Sequence, residues 1–145
     1  MLKVLLVDDE PFIIQGLKVL IDWEQEGYMI AGTASNGKDF LKKESVDLII
    51  ADIQMPVMTG LDLQEAIRKE NLSNAYFVIL SGYADFEYAR RALQNECTDY
   101  ILKPVDPNEF KNTLNKVVNE LEEAKASDEL KNKSMEFLYE HALYM

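Results

Sequence analysis

At 145 residues the chain has the length of one ordinary domain with a single core, and 48% hydrophobic with 28% charged residues is a globular balance, not a disordered or fibrous one. Its 26 acidic against 15 basic residues give a net charge of -11, which disfavours a direct grip on nucleic acid, because phosphate contacts need clustered Lys and Arg. One cysteine, Cys97, excludes an internal disulfide and a cysteine metal cluster, and the one histidine, His141, lies in the C-terminal tail, away from the N-terminal acids.

The first predicted strand is "KVLLV" (3–7), whose apolar run stops at Asp8, Asp9 and Glu10. Four apolar residues are too few for a signal peptide or a membrane span, so a cytoplasmic protein is expected. A first helix follows, with Asp9 or Glu10 as its cap and Pro11 in its first turn. Its apolar face is Ile13, Ile14, Leu17, Leu20 and Ile21. The second strand is "YMIAGTA" (28–34) and the second helix starts near Asn36. The third strand, "VDLIIA" (46–51), runs into Asp52, and "IQMPVMTG" forms a loop before a third helix from about Thr59. The fourth strand, "YFVIL" (76–80), ends at Ser81 and precedes the helix "ADFEYARRALQNE". The fifth, "DYIL" (99–102), ends at Lys103, and a last helix opens with Asp106 as cap and Pro107 in the first turn.

Alternating short apolar strands and amphipathic helices predict an α/β fold: a flavodoxin-like doubly wound sheet of five parallel strands, order 2-1-3-4-5, flanked by five helices. Ligands in such folds bind beyond the carboxyl ends of the strands, where Asp8, Asp9, Asp52, Ser81 and Lys103 stand. Adjacent strands lie about 5 Å apart, so three carboxylates are expected to share one pocket. A hydrated divalent cation held by a few carboxylates, Mg²⁺, relieves their repulsion. Taken singly, "DDE" also reads as an acidic helix cap, Lys103 as a strand-end lysine reaching solvent, and Ser81 as a turn residue. Four strand ends converging on one chemistry favour the pocket. The bond before Pro104 is a place where a cis peptide is cheap, which would turn Lys103 inward.

The motifs "VDDE", "DIQMPVMTGLDL", "LSGYADFEYA" and "DYILKP", in this order, resemble the receiver domain of bacterial two-component response regulators, over roughly residues 1–123. The resemblance implies that Asp52 is the phosphoacceptor and that Asp9, Asp52 and the backbone carbonyl of Gln54 ligate Mg²⁺, with Asp8 assisting through water. It implies that Ser81, in place of the commoner threonine, and Lys103 contact the phosphoryl group, and that Ser81 and Tyr100 form a switch. Tyr100 reads equally as a half-buried strand tyrosine. A separate sensor histidine kinase is the implied donor, and the domain catalyses only its own phosphorylation and dephosphorylation. Homodimerisation is implied through the face of the fourth helix, fifth strand and fifth helix, or through the C-terminal helix.

The stretch "LSGYADFEYARRAL" further resembles receivers that precede an AraC-type helix-turn-helix domain. Three other readings compete. An aspartyl phosphohydrolase resembles Asp-x-Asp after the strand, where this chain has Gln54, which cannot act as an acid. A flavodoxin-like cofactor binder needs a glycine- or hydroxyl-rich loop where "DDEP" stands. The third is a receiver-like interaction module that takes no phosphate.

Residues 124–145 are expected to be a helical linker toward an output domain. Leu114, Val117, Leu121, Ala124, Met135, Leu138, Ala142 and Met145 keep one spacing of threes and fours, broken by Asp128 and Lys131. A dimerising helix and a solvated or frayed connector fit this pattern equally.

Overall fold

The strands Leu2–Val7 (β1), Tyr28–Ala34 (β2), Leu48–Asp52 (β3), Tyr76–Ser81 (β4) and Asp99–Leu102 (β5) form one parallel sheet in the order β2-β1-β3-β4-β5. The helices are Pro11–Leu20 (α1), Gly37–Leu41 (α2), Gly60–Lys69 (α3), Phe86–Gln94 (α4) and Pro107–Leu143 (α5). This computed structural model describes residues 1–34, 37–53, 59–82 and 86–143, with side chains described for these except Phe86 and residues 128–143.

The centres of the three inner strands, Val4–Val7, Leu48–Ala51 and Phe77–Leu80, are apolar because both faces of the sheet are covered. Successive residues alternate between two cores. Val4, Leu6, Leu48, Ile50, Val78, Leu80 and Ile101 face α1 and α5, meeting Ile14, Leu17, Phe110, Leu114 and Val117. Leu5, Val7, Ile49, Ala51, Phe77 and Ile79 face α2, α3 and α4, meeting Leu41, Leu61, Leu63, Ile67 and Ala92. In the first core Trp23 packs edge-on against Phe110 and Tyr28, with centroids 5.5 and 6.3 Å apart. The polar ends of these rings are satisfied: Trp23 Nε1 donates to the Leu17 carbonyl at 3.0 Å and the Tyr28 hydroxyl to that of Leu114 at 2.8 Å.

The sheet order and the helix faces agree with the sequence reading; several boundaries differ. β3 starts at Leu48, two residues later than expected, and includes Asp52. Asp47 serves the strand entrances instead: its N–H donates to the Lys3 carbonyl, its carboxylate accepts from the Lys3 N–H, and its carbonyl accepts from the Tyr76 N–H. Glu10 does occupy the cap of α1 with Pro11 next, but its carboxylate caps nothing. The carboxylate engaged at that turn is Asp8, whose Oδ1 accepts from the Glu10 N–H at 2.9 Å. Asp106 caps α5 as expected, accepting from Asn108 and Glu109 N–H groups at 2.7 and 3.2 Å. The backbone of α5 runs unbroken past Asp128 and Lys131 to Leu143. The side chains of Met135, Leu138, His141 and Ala142, and the whole of Met145, lie outside the described residues.

Candidate functional site

Parallel register sets the site. Val7 pairs with Ala51, Asp52 with Leu80, and Ser81 with Leu102, so the residues at and just after these strand ends share one edge of the sheet. Asp8 is 5% exposed, whereas Asp9 sits exposed on the rim. One oxygen of Asp8 holds the Glu10 N–H; the other, Oδ2, is buried with no hydrogen-bond partner. Burial pushes the Asp8 carboxyl up to about 6, and the nearby Asp52 and Asp9 carboxylates add to this while the Glu10 N–H and Lys103 oppose it.

Asp52 ends β3 with its Oδ1 3.0 Å from the Lys103 ammonium; the two side chains are 12% and 28% exposed. The backbone aims that lysine: the Lys103 N–H donates to the Ser81 carbonyl at 2.7 Å, and the bond to Pro104 is cis. Ser81 is fully buried at the end of β4. Tyr100 is half-buried on β5, on the sheet face that also holds Ala92 of α4. The structure therefore brings Asp8, Asp9, Asp52, Ser81 and Lys103 to one edge, with Tyr100, on β5 three residues before Lys103, paired with Ile79. Gln54 lies outside the described residues.

The three carboxylates do not close into a cage: among the described residues no three acid, imidazole or thiol groups converge as a metal site. Asp9 faces solvent and Lys103 takes one oxygen of Asp52, so the acids form an open half-shell. That donor set still fits Mg²⁺, which binds through one or two carboxylates, keeps several waters and needs no all-protein cage. The orphaned Asp8 Oδ2 supplies the unspent buried acceptor such an ion would satisfy. A cleft of about 250 Å³, lined by Asp8, Asp9, Pro11, Gln15, Lys18 and Thr33 among others, opens beside these acids. Two larger clefts of about 570 and 560 Å³ lie at the opposite end of the sheet, around Asn74, Ala75 and Tyr76, away from this chemistry.

One positioning residue goes unread in the sequence. Gly60 opens α3 directly behind Asp52: its N–H donates to the Ile53 carbonyl at 3.0 Å, and an added Cβ would stand 2.4 Å from the Asp52 carbonyl oxygen. A capping box fixes this helix start, with Thr59 Oγ1 accepting from the Asp62 N–H at 3.1 Å and Asp62 Oδ2 from the Thr59 N–H at 3.3 Å. The pattern Thr-Gly-x-Asp before an apolar run carries the signal for the cap. Nothing in it tells that Asp52 is what the glycine approaches.

Comparison with known proteins gives a consistent picture. The family model described as "Response regulator receiver domain" matches residues 4–115. The chain is 35% identical over 124 residues to YesN, an uncharacterized transcriptional regulatory protein of Bacillus subtilis, covering 83% of this chain and 33% of that one. It is 36% identical over 131 residues to the transcriptional regulatory protein HptR of Staphylococcus aureus, covering 88% and 51%. The chain thus spans about half or less of the length of these relatives. Among solved structures, the REC domain of AraT, a response regulator from Geobacillus stearothermophilus, superposes with a TM-score of 0.74 at 33% identity, covering 86% of this chain and 98% of that one. The chemotaxis protein CheY4 of Vibrio cholerae gives 0.69 at 30% identity, covering 81% and 98%.

Proposed function

Because the chain belongs to the response regulator receiver domain family, we propose that Asp52 is its phosphoacceptor and that phosphorylation there switches a downstream output. The observation that carries this reading is the Asp52–Lys103 pair at 3.0 Å, set beside a buried Asp8 oxygen with no partner. A carboxylate is a weak nucleophile, so transfer must be driven by alignment and charge neutralisation. Lys103 holds Oδ1 and leaves Oδ2 of Asp52 for in-line attack on phosphorus. An Oδ2–P bond forms as the bond from phosphorus to the donor breaks, and the donor leaves with that electron pair. Asp8, Asp9, Asp52 and the Gln54 carbonyl would hold Mg²⁺, which when bound offsets charge on the transferred oxygens. Lys103 and the Ser81 hydroxyl then receive two of those oxygens.

The phosphoryl group adds about -1.5 to -2 of charge beside Ser81. Movement of Ser81 toward it makes room for Tyr100 to turn inward, which changes the face formed by α4, β5 and α5. The donor is a phosphohistidine on a separate sensor histidine kinase, the partner that the receiver family implies. The domain turns over no substrate besides its own acyl phosphate.

Residues 1–123 form the receiver, and residues 124–145 a helical linker toward an output domain that regulates transcription, as the longer relatives' names suggest. Two copies pair through the α4–β5–α5 face or through the C-terminal helix. The protein acts in the cytoplasm without touching nucleic acid through this segment; among the described residues no helix is long and apolar enough to cross a membrane.

The test is labelling by a small-molecule phosphodonor, read by intact mass with and without Mg²⁺. One phosphoryl group should add in the wild type with Mg²⁺ and none in Asp52→Asn. Labelling of Asp52→Asn at the wild-type rate would overturn the assignment, and no labelling of either protein would leave the phosphate-independent module as the better reading.

A further inference from the structure

The α3–α4 junction carries a polar contact that the phosphoacceptor chemistry does not use. Gln64 of α3 is fully buried, and its Nε2 donates to two carbonyls at the end of α4: Ala92 at 3.2 Å and Asn95 at 2.8 Å. Helix ends leave carbonyls without intrahelical partners. Here a Schellman turn satisfies some of them, with Cys97 N–H donating to Ala92 at 2.9 Å, Glu96 N–H to Leu93 at 3.1 Å, and Glu96 at a φ of 61°. The Asn95 carbonyl, at the cap inside that turn, takes part in neither of these bonds, and Gln64 reaches it from the neighbouring helix. Rotating the amide would set its oxygen against two carbonyls, so Gln64 faces α4 as a donor only. Its own oxygen stays buried with no hydrogen-bond partner, a cost accepted for this orientation.

The other ties between this end of α4 and α3 are weaker: Asn95 Nδ2 donates to the part-exposed Glu65 carboxylate at 3.3 Å. Among the described residues of α4, Ala92 is the one buried side chain. Arg91 pairs with Glu65 at 2.9 Å and Asp62 at 3.4 Å, but these side chains are 38–48% exposed, where ion pairs contribute little. We propose that Gln64 is a latch that fixes the C-terminal end of α4 to α3, a conformational device that sets how readily this helix is released. A helix end whose described side chains include one small buried anchor, Ala92, opens locally at low free energy, and the buried amide sets that energy.

Hydrogen exchange of the whole chain, without phosphodonor, tests the latch separately from the role of Asp52. In Gln64→Met the amides of Asn95, Glu96 and Cys97 should exchange on the order of tenfold faster, while those of β3 and β4 stay at wild-type rates. Unchanged exchange at these three amides, or an equal acceleration throughout the sheet, would overturn the proposal. Should Gln64→Met fail to fold, Arg91→Met decides: removing only the exposed pairs should change the same amides by less than about twofold. A tenfold effect of Arg91→Met would assign the hold to the ion pairs and sink the latch.

Discussion

Lys103 reaches Asp52 across an intervening strand: 51 positions apart in sequence, just past β5 and at the end of β3 with β4 between, their side chains meet at 3.0 Å. The contact depends on Lys103's backbone hydrogen bond to Ser81, which fixes where the lysine leaves the sheet. Lys103→Met keeps the length of the stem and deletes the charge. We expect phosphoryl transfer to Asp52 to slow by about 10²–10³-fold, the usual loss when one preorganised electrostatic partner is removed. The measurement is the labelling rate at saturating phosphodonor, with circular dichroism to establish that the fold is kept. A rate within a few-fold of wild type would remove Lys103 from the chemistry.

Asp8 makes a prediction in pH. Its carboxyl is raised from 3.8 to about 6, chiefly by burial, so the folded state holds a proton that the unfolded chain has already lost in this window. Below about 4 both states are protonated. Between about 4 and 6 the unfolded state is favoured progressively, and above about 6 both are ionised and the slope ends. The whole effect corresponds to about 3 kcal/mol of lost stability. In chelator, Asp8→Asn should therefore be more stable than wild type at pH 7 and lack this slope. Added Mg²⁺ should raise the melting temperature of the wild type at pH 7 and leave Asp8→Asn nearly unmoved. Parallel pH profiles for the two proteins would contradict the buried, destabilising charge.

How far these features were legible in sequence follows from what each depends on. β1, β3 and β4 read clearly because strands buried on both faces are continuous apolar runs. The strand-end residues read clearly because parallel topology collects them at one edge. The start of β3 was misplaced at Val46, whose burial in the α2–α4 core imitates a strand residue while Asp47 is spent on bonds to Lys3 and Tyr76. The side-chain cap expected from Asp9 or Glu10 is not made; Asp8 instead holds the Glu10 N–H in a local turn, because such a bond is decided by geometry rather than composition. The expected three-carboxylate pocket is an open half-shell among the described residues, with Asp8 buried and Asp9 exposed on the rim. Gly60 and Gln64 were invisible because their partners, a backbone carbonyl of Asp52 and the end of α4, become neighbours only through tertiary packing.

Phe110 offers an optical readout of the opposite core. It is fully buried and meets Trp23, the only tryptophan, edge to face at 5.5 Å. Phe110→Ala should cost about 3–5 kcal/mol through lost burial and the cavity left behind. That is a large share of a total of about 5–15 kcal/mol. Trp23, 6% exposed in the native chain, should then shift its emission to the red. Denaturant unfolding followed by Trp23 fluorescence gives both numbers at once; a loss below about 1 kcal/mol would mean the core refills the site.

Gly60 and Gly16 are both helical glycines, and replacing them should give opposite results. Gly16 lies exposed in the middle of α1 with nothing within 4 Å of an added Cβ. Gly16→Ala should stabilise the protein by about 0.5–1 kcal/mol through helix propensity and a less disordered unfolded chain. At Gly60 the same methyl would meet the Asp52 carbonyl oxygen at 2.4 Å, its carbon at 3.0 Å and the Ile53 Cα at 3.2 Å. All three are backbone atoms, so no rotamer change relieves the overlap; either α3 backs away or the end of β3 moves. Overpacking of this kind costs about 1–3 kcal/mol, enough to outweigh the gain in propensity. Because the carbonyl displaced is that of Asp52 itself, one bond from the Cα that bears its side chain, labelling of Gly60→Ala should fall about tenfold or more even at temperatures where it is fully folded, since misplacement of about 1 Å costs on the order of 10²-fold. Comparing melting temperature and labelling rate for the two alanine variants checks this directly. If Gly60→Ala matched Gly16→Ala in both, α3 would not be pressed against the phosphoacceptor.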